Sequence, residues 1–177
     1  GVWAEGIKAL YDELSDIAEV TMVAPLEERS TTGHTLSLHN PLRVKQLDER
    51  VYGCSGFPSD CVFWGLAYLY KENKPDLVIS GINRGANLGQ DIYYSGTVAA
   101  ARESTFHGVP SLAVSTVIDF DKSDGASAHY KTAAEFVKSC VKAKIYDVIP
   151  ERTLININVP DIGSSDIKGA EVATLGF

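Results

Sequence analysis

Short apolar runs alternate with amphipathic helical stretches along this whole chain, and that order limits the folds open to it more than any other feature. Ile7, Leu10, Leu14 and Ile17 recur at i, i+3, i+7 and i+10, so the spacing predicts a helix over residues 4–17. Residues 20–24 form a short, mostly apolar run ended by Pro25, the pattern of a buried, parallel strand. Leu36, Leu38, Leu42 and Val44 flank His39-Asn40-Pro41 and predict a hairpin or two short strands, with a further strand over residues 51–54. Pro58-Ser59-Asp60 opens a second helix that carries Val62, Leu66 and Leu69 on one face to about Lys71. A core strand follows at residues 77–79, then a helix over 96–107 with Ser95 as its cap and Gly108 as its stop. Residues 112–114 read as a strand, 119–127 as a polar surface loop, 128–144 as a helix with Ala133, Phe136, Val137, Cys140 and Val141 inward, and 154–159 as a strand. In that last strand Asn156 and Asn158 alternate with Ile155 and Ile157. Strands separated by helices predict an α/β fold: a Rossmann-like, three-layer α/β/α arrangement with a mostly parallel sheet and helices on both faces.

Composition narrows the function classes. With 177 residues, 45% apolar and 22% charged, the chain has the usage of an ordinary soluble domain. One domain over residues 1–177 is the expectation, since neither repeat nor linker interrupts it. No apolar run reaches the roughly 20 residues of a membrane helix. A net charge of −7 argues against a broad basic face for a nucleic-acid duplex and leaves room for a local anion pocket. Three cysteines, Cys54, Cys61 and Cys140, have no CxxC spacing. They are expected to be structural, reduced and unbridged in a reducing, cytoplasmic setting. The chain starts at Gly1 close to a helical pattern and stops at Gly176-Phe177, so both ends read as truncated.

In open α/β sheets, ligands bind at the carboxyl ends of strands, where loops feed helix N-termini. Residues 26–34, 80–97 and 115–127 occupy such places. The 80–97 stretch carries Gly81, Gly85 and Gly89 at intervals of four, which is neither G-x-G-x-x-G nor a P-loop. Asn83 and Asn87 project amides from it. Ser95-Gly96-Thr97 then opens a helix, where free N–H groups, the helix dipole and two hydroxyls make an anion site suited to phosphate; the alternative is that Ser95 only caps and Gly96 only packs. In the 26–34 stretch, Glu27, Glu28 and Arg29 read as solvated charges. Ser30 is a candidate ligand or an ordinary loop serine, and His34 an acid–base group or a structural histidine. No G-x-S-x-G elbow supports a serine hydrolase.

The run Gly81-Ile82-Asn83-Arg84-Gly85-Ala86-Asn87-Leu88-Gly89, followed by Tyr94-Ser95-Gly96-Thr97-Val98-Ala99-Ala100-Ala101, resembles the signature of the SurE family of metal-dependent nucleotidases. The segments Val23-Ala24-Pro25, Arg29-Ser30, Gly33-His34, Gly56-Phe57-Pro58-Ser59-Asp60-Cys61-Val62, Pro75 to Gly81 and Asn156 to Pro160 agree with it in order. The resemblance implies a hydrolase that converts nucleoside monophosphates to nucleoside and phosphate, a 5′/3′-nucleotidase. It implies one divalent cation, Mg²⁺ or Mn²⁺, with Ser30 and Asn83 among its ligands, and phosphate bound by Asn87, Ser95, Gly96 and Thr97. It further implies a homo-oligomer, dimer or tetramer, in the full-length protein. Two adjacent family Asp ligands fall just before the position of Gly1, so the segment itself is expected to be inactive. A non-catalytic nucleotide- or phosphate-binding module and an assembly subunit are the alternatives.

Overall fold

The computed structural model describes residues 1–29, 31–118 and 129–176. Ser30 and the polar loop expected over 119–127 therefore lie outside the described residues. The elements in chain order are α1 (Glu5–Leu14), β1 (Met22–Pro25), β2 (Val44–Asp48), β3 (Val51–Cys54), α2 (Pro58–Trp64), β4 (Val78–Arg84), α3 (Gly96–Phe106), β5 (Ser111–Val117), α4 (Tyr130–Lys142) and β6 (Leu154–Pro160).

The strands form two three-stranded sheets, β1-β3-β2 and β4-β5-β6. The second is parallel throughout, and in the first only β2 runs antiparallel, against β3. Period-two alternation sets the layers. On β5, Leu112 and Val114 join Leu10 and Leu14 of α1 and Ala133, Ala134 and Val137 of α4 in the main core. Ala113 points the other way, to Val98 and Ala101 of α3. α1 ties the two sheets together: Leu10 and Leu14 serve the β4-β5-β6 core, while Ile7 and Tyr11 pack with Val2, Met22 and Ala24. The outcome is the three-layer α/β/α fold that the alternation predicts.

Because β4, β5 and β6 follow one another in a single direction, two crossovers of the same hand would put α3 and α4 on one face. They lie on opposite faces, so one of the two crossovers has the uncommon left hand.

Departures from the sequence-based expectations each have a physical cause in the packing. The first strand starts at Met22, where pairing with Val51 begins. No hairpin forms around His39-Asn40-Pro41. Leu38 is exposed, and the preceding loop is tied down by side chains, with Ser37 donating through its N–H (2.9 Å) and Oγ (2.8 Å) to Asp60. The helix from Pro58 ends as α2 at Trp64 and continues to Leu69 as a π-helical turn closed by Tyr70 N–H on the Gly65 carbonyl (3.0 Å). β4 runs well past Ile79 into the stretch expected to be loop. Between Ser80 and Asn83 it holds one residue more than β5 opposite, a bulge that re-aims the strand's carboxyl end. Gly81 makes this possible: its φ is +145°, and a Cβ there would stand 2.5 Å from the Val114 carbonyl oxygen.

Candidate functional site

The carboxyl ends of β1 and β4 and the N-terminus of α3 open on one cavity of about 1470 Å³, lined among others by Glu28, Asn83, Asn87, Ser95, Gly96 and Thr97. Asn83, Asn87, Ser95, Gly96 and Thr97, picked out from the sequence as metal or phosphate ligands, thus reach the same cavity, whereas His34 does not; Ser30 lies outside the described residues.

Ser95 is the N-cap of α3. Its Oγ accepts from Val98 N–H (3.2 Å), which satisfies one of the orphan donors of the first turn. Gly96 is buried. A Cβ on it would meet Pro58 Cγ at 3.0 Å and Thr32 Oγ1 at 3.3 Å, so the missing side chain lets α2 and the 31–34 loop close on the helix start. Thr97 is half-buried and lines the cavity. The cap does not use up the helix start: it takes one lone pair of Ser95, while its O–H, the Thr97 hydroxyl and the remaining first-turn N–H groups are still at hand.

Asn83, on β4 just past the bulge, donates through Nδ2 to the Gly85 carbonyl (2.8 Å), which leaves its Oδ1 as the end free to meet a ligand. Asn87 is buried, its side-chain Nδ2 on Ser115 Oγ (2.7 Å) and its backbone N–H on Asn158 Oδ1 (2.8 Å). Among the described residues, no group of three or more His, Cys, Asp or Glu stands close enough to hold a metal ion. Asn83 supplies a neutral, hard oxygen donor of the kind Mg²⁺ and Mn²⁺ accept.

His34 does not line this cavity. Its Nε2–H donates to Glu103 Oε2 (2.6 Å), its ring stacks on Phe106, and His107 Nε2–H donates to Glu103 Oε1 (3.0 Å). Of its two readings, the structural one describes this geometry. Glu27 and Arg29 pair with each other at 3.2 Å, and Arg29 lies over the Phe57 ring. Cys54 and Cys61 are buried without a disulfide, and the Cys54 sulfur accepts from Gly56 N–H at 3.4 Å.

Sequence reasoning missed Asp60, Glu103 and Ser115 as organisers of the site's surroundings. Asp60 carried a signal, since a carboxylate three positions past Phe57 is placed to reach back to that residue's N–H, as it does at 2.8 Å. Glu103 carried a helical i,i+4 spacing to His107 but no signal for His34, which lies on a loop far away in sequence.

A family model described as "Survival protein SurE" matches residues 1–177. The chain belongs to the SurE family. It is 47% identical to the 5′-nucleotidase SurE of Vibrio cholerae (strain N16961) over 99% of this chain and 67% of that protein. Against the 5′-nucleotidase SurE of Aliivibrio fischeri it is 45% identical over 99% of this chain and 65% of that protein. The crystal structure of a SurE protein from Aquifex aeolicus superposes with a TM-score of 0.91 at 38% identity, covering 99% of this chain and 69% of that one. The chain thus spans about two thirds of the length of the relatives it matches. Among the described residues, no helix is long and apolar enough to cross a membrane.

Proposed function

We propose that this chain carries the phosphate-binding half of a metal-dependent nucleotidase that hydrolyses nucleoside monophosphates, with 5′- or 3′-phosphate, to nucleoside and phosphate. The observation that carries the reading is the convergence of Asn83, Asn87 and the Ser95-Gly96-Thr97 helix start on one cavity at the carboxyl ends of β1 and β4. The phosphate sits on the first turn of α3. There the N–H groups of that turn and the hydroxyls of Ser95 and Thr97 donate to its oxygens, and the helix dipole favours its charge. Asn87, held from behind, presents what remains of its amide to the same group. Asn83 through Oδ1, together with Ser30, would hold the divalent cation, Mg²⁺ or Mn²⁺. When bound, such an ion polarises phosphoryl oxygens and lowers the pKa of a water. The family's 5′-nucleotidase relatives support the choice of substrate class. A homo-oligomer in the full-length protein belongs to the same reading and is measured by light scattering.

The test is phosphate release from AMP in full-length protein containing this chain, with Mg²⁺ or Mn²⁺. Thr97→Val keeps the shape and removes a donor. Ser95→Ala removes donor and cap together, at about 1 kcal/mol of stability. Both should raise KM and lower turnover. Unchanged kinetics in both variants would overturn the assignment, and AMP binding without phosphate release in the unmodified protein would leave a binding module in place of an enzyme.

A further inference from the structure

We infer that Ser115 and Asn158 are positioning residues that set Asn87 against the phosphate, an inference that rests on the phosphate-site reading above. Register places them. Asn83 of β4 pairs with Ser115 of β5, and Ser115 pairs with Asn158 of β6, so three polar side chains form one row across the carboxyl end of the sheet. Period-two alternation puts Asn156 on the same face as Asn158, while Ile155 and Ile157 turn into the main core.

Asn87 lies over this row and is gripped at each polar group that it can spare. Asn158 treats the Asn87 peptide as a neighbouring strand would: its Oδ1 accepts from Asn87 N–H (2.8 Å) and its Nδ2 donates to the Asn87 carbonyl (3.2 Å). Asn156 Nδ2 donates to the same carbonyl (2.8 Å), and Ser115 Oγ accepts from Asn87 Nδ2 (2.7 Å). Ser115 is fully buried, and Asn87 nearly so.

A buried polar network is costly where it is unsatisfied, and the bonds it does make fix one geometry; here Asn156 Oδ1 is buried without a partner, while every contact to Asn87 is made. Here the fixed element is a loop residue with no regular secondary structure of its own, standing between the β4 bulge and the α3 helix start. Its backbone is clamped by β6 and its amide plane is turned by β5. One Nδ2 hydrogen and the side-chain carbonyl are thereby left for a ligand. The sheet thus lends its rigidity to a loop that must meet a phosphate within a few tenths of an ångström.

The experiment measures AMP affinity and AMP hydrolysis for Asn87→Ala, Asn158→Ala, Ser115→Ala and the double variant Asn87→Ala/Asn158→Ala in the full-length protein, with a thermal melt for each. Loss of the clamp should weaken AMP binding and turnover each by about tenfold in Asn158→Ala, and by a smaller factor in Ser115→Ala. The double variant should match Asn87→Ala alone, because Asn158 acts through Asn87. A merely structural role would lower the melting temperature and leave the effects of the two substitutions additive. Should Asn158→Ala fail to fold, Ser115→Ala, which deletes a single oxygen, carries the test with its own Asn87→Ala double variant. If Asn87→Ala impairs AMP use while Asn158→Ala and Ser115→Ala do not, or if the effects add in the double variant, the inference falls and the phosphate-site reading stands. If Asn87→Ala itself changes nothing, Asn87's place in the phosphate site falls, and this inference with it.

Discussion

Asn83 shows how one side chain can be assigned by what its other end does. With Nδ2 committed to the Gly85 carbonyl, the amide cannot flip without breaking a 2.8 Å bond, and Oδ1 stays the ligand-facing atom. Asn83→Ala should therefore raise the Mg²⁺ or Mn²⁺ concentration needed for half-maximal AMP hydrolysis by roughly tenfold or more. Metal titrations that overlay those of the unmodified protein would remove Asn83 from the metal shell. The Cys54–Cys61 pair makes a second prediction. The neighbouring Cys61 thiol, and after it the Gly56 N–H at 3.4 Å, outweigh burial and hold the Cys54 pKa down from 9.0 to about 7. Cys61 is pushed up by the Cys54 side chain beside it and by burial. A folded-state pKa below the unfolded one means that the thiolate adds stability as pH rises from about 7 to 9.0, and loses it as pH falls through about 7. Above 9.0 the raised Cys61 works in the opposite sense, since only the unfolded chain ionises there. Thermal melts across this range should show the melting temperature rise and then turn over, and Cys61→Ala should erase the rise; a parallel profile in the variant would refute the pairing.

Helix α3 concentrates the candidate site's dependence on one element. Its N-terminus is the proposed anion site, and its last two turns carry the carboxylate that fixes the neighbouring loop. Glu103 is buried and receives N–H from both His34 and His107, so the 31–40 loop is latched to the far end of the helix that it overlies at the near end, where Thr32 faces Gly96. Glu103→Ala leaves both imidazole donors without their acceptor and should cost roughly 1–3 kcal/mol. For a chain of this size that is a fall of several degrees in melting temperature. It should also raise KM for AMP, since the loop loses its anchor; a variant with unchanged melting and KM would show that the latch has no structural role. This element also divides what was legible in the sequence from what was not. Ser95, Gly96 and Gly108 announce the helix limits because capping chemistry is local. The apolar period placed α1, α2 and α4 within a few residues for the same reason. The Glu103 latch, the extension of β4 through Gly81 and the tie between Ser37 and Asp60 each depend on partners distant in sequence, and no period or turn signal encodes them. The Asn156/Asn158 alternation was visible, but its target, Asn87, was not, because register across β5 decides which face those amides share.

At the scale of the molecule, the site lies where the two sheets meet. β1 and β4 are edge strands among the described residues, and both line the cavity together with apolar α1 residues such as Leu10 and Leu14. Edge strands carry free N–H and C=O groups that recruit other strands, and an apolar wall beside them adds attraction for any exposed apolar surface. Layering by α1 on one side and by α2 and α3 on the other keeps the two sheets in one body, with no strand pairing between them among the described residues, so the cavity depends on helix packing for its shape. The chain of residues 1–177 should therefore bind an environment-sensitive apolar dye while its near-ultraviolet circular dichroism reports fixed packing. Its scattering mass should also grow with concentration, as open edges pair without a closed symmetry. A folded chain that binds no dye would show the cavity walls to be covered. A mass that stays fixed across concentrations would show the β1 and β4 edges to be closed, either within the chain or in a symmetric assembly.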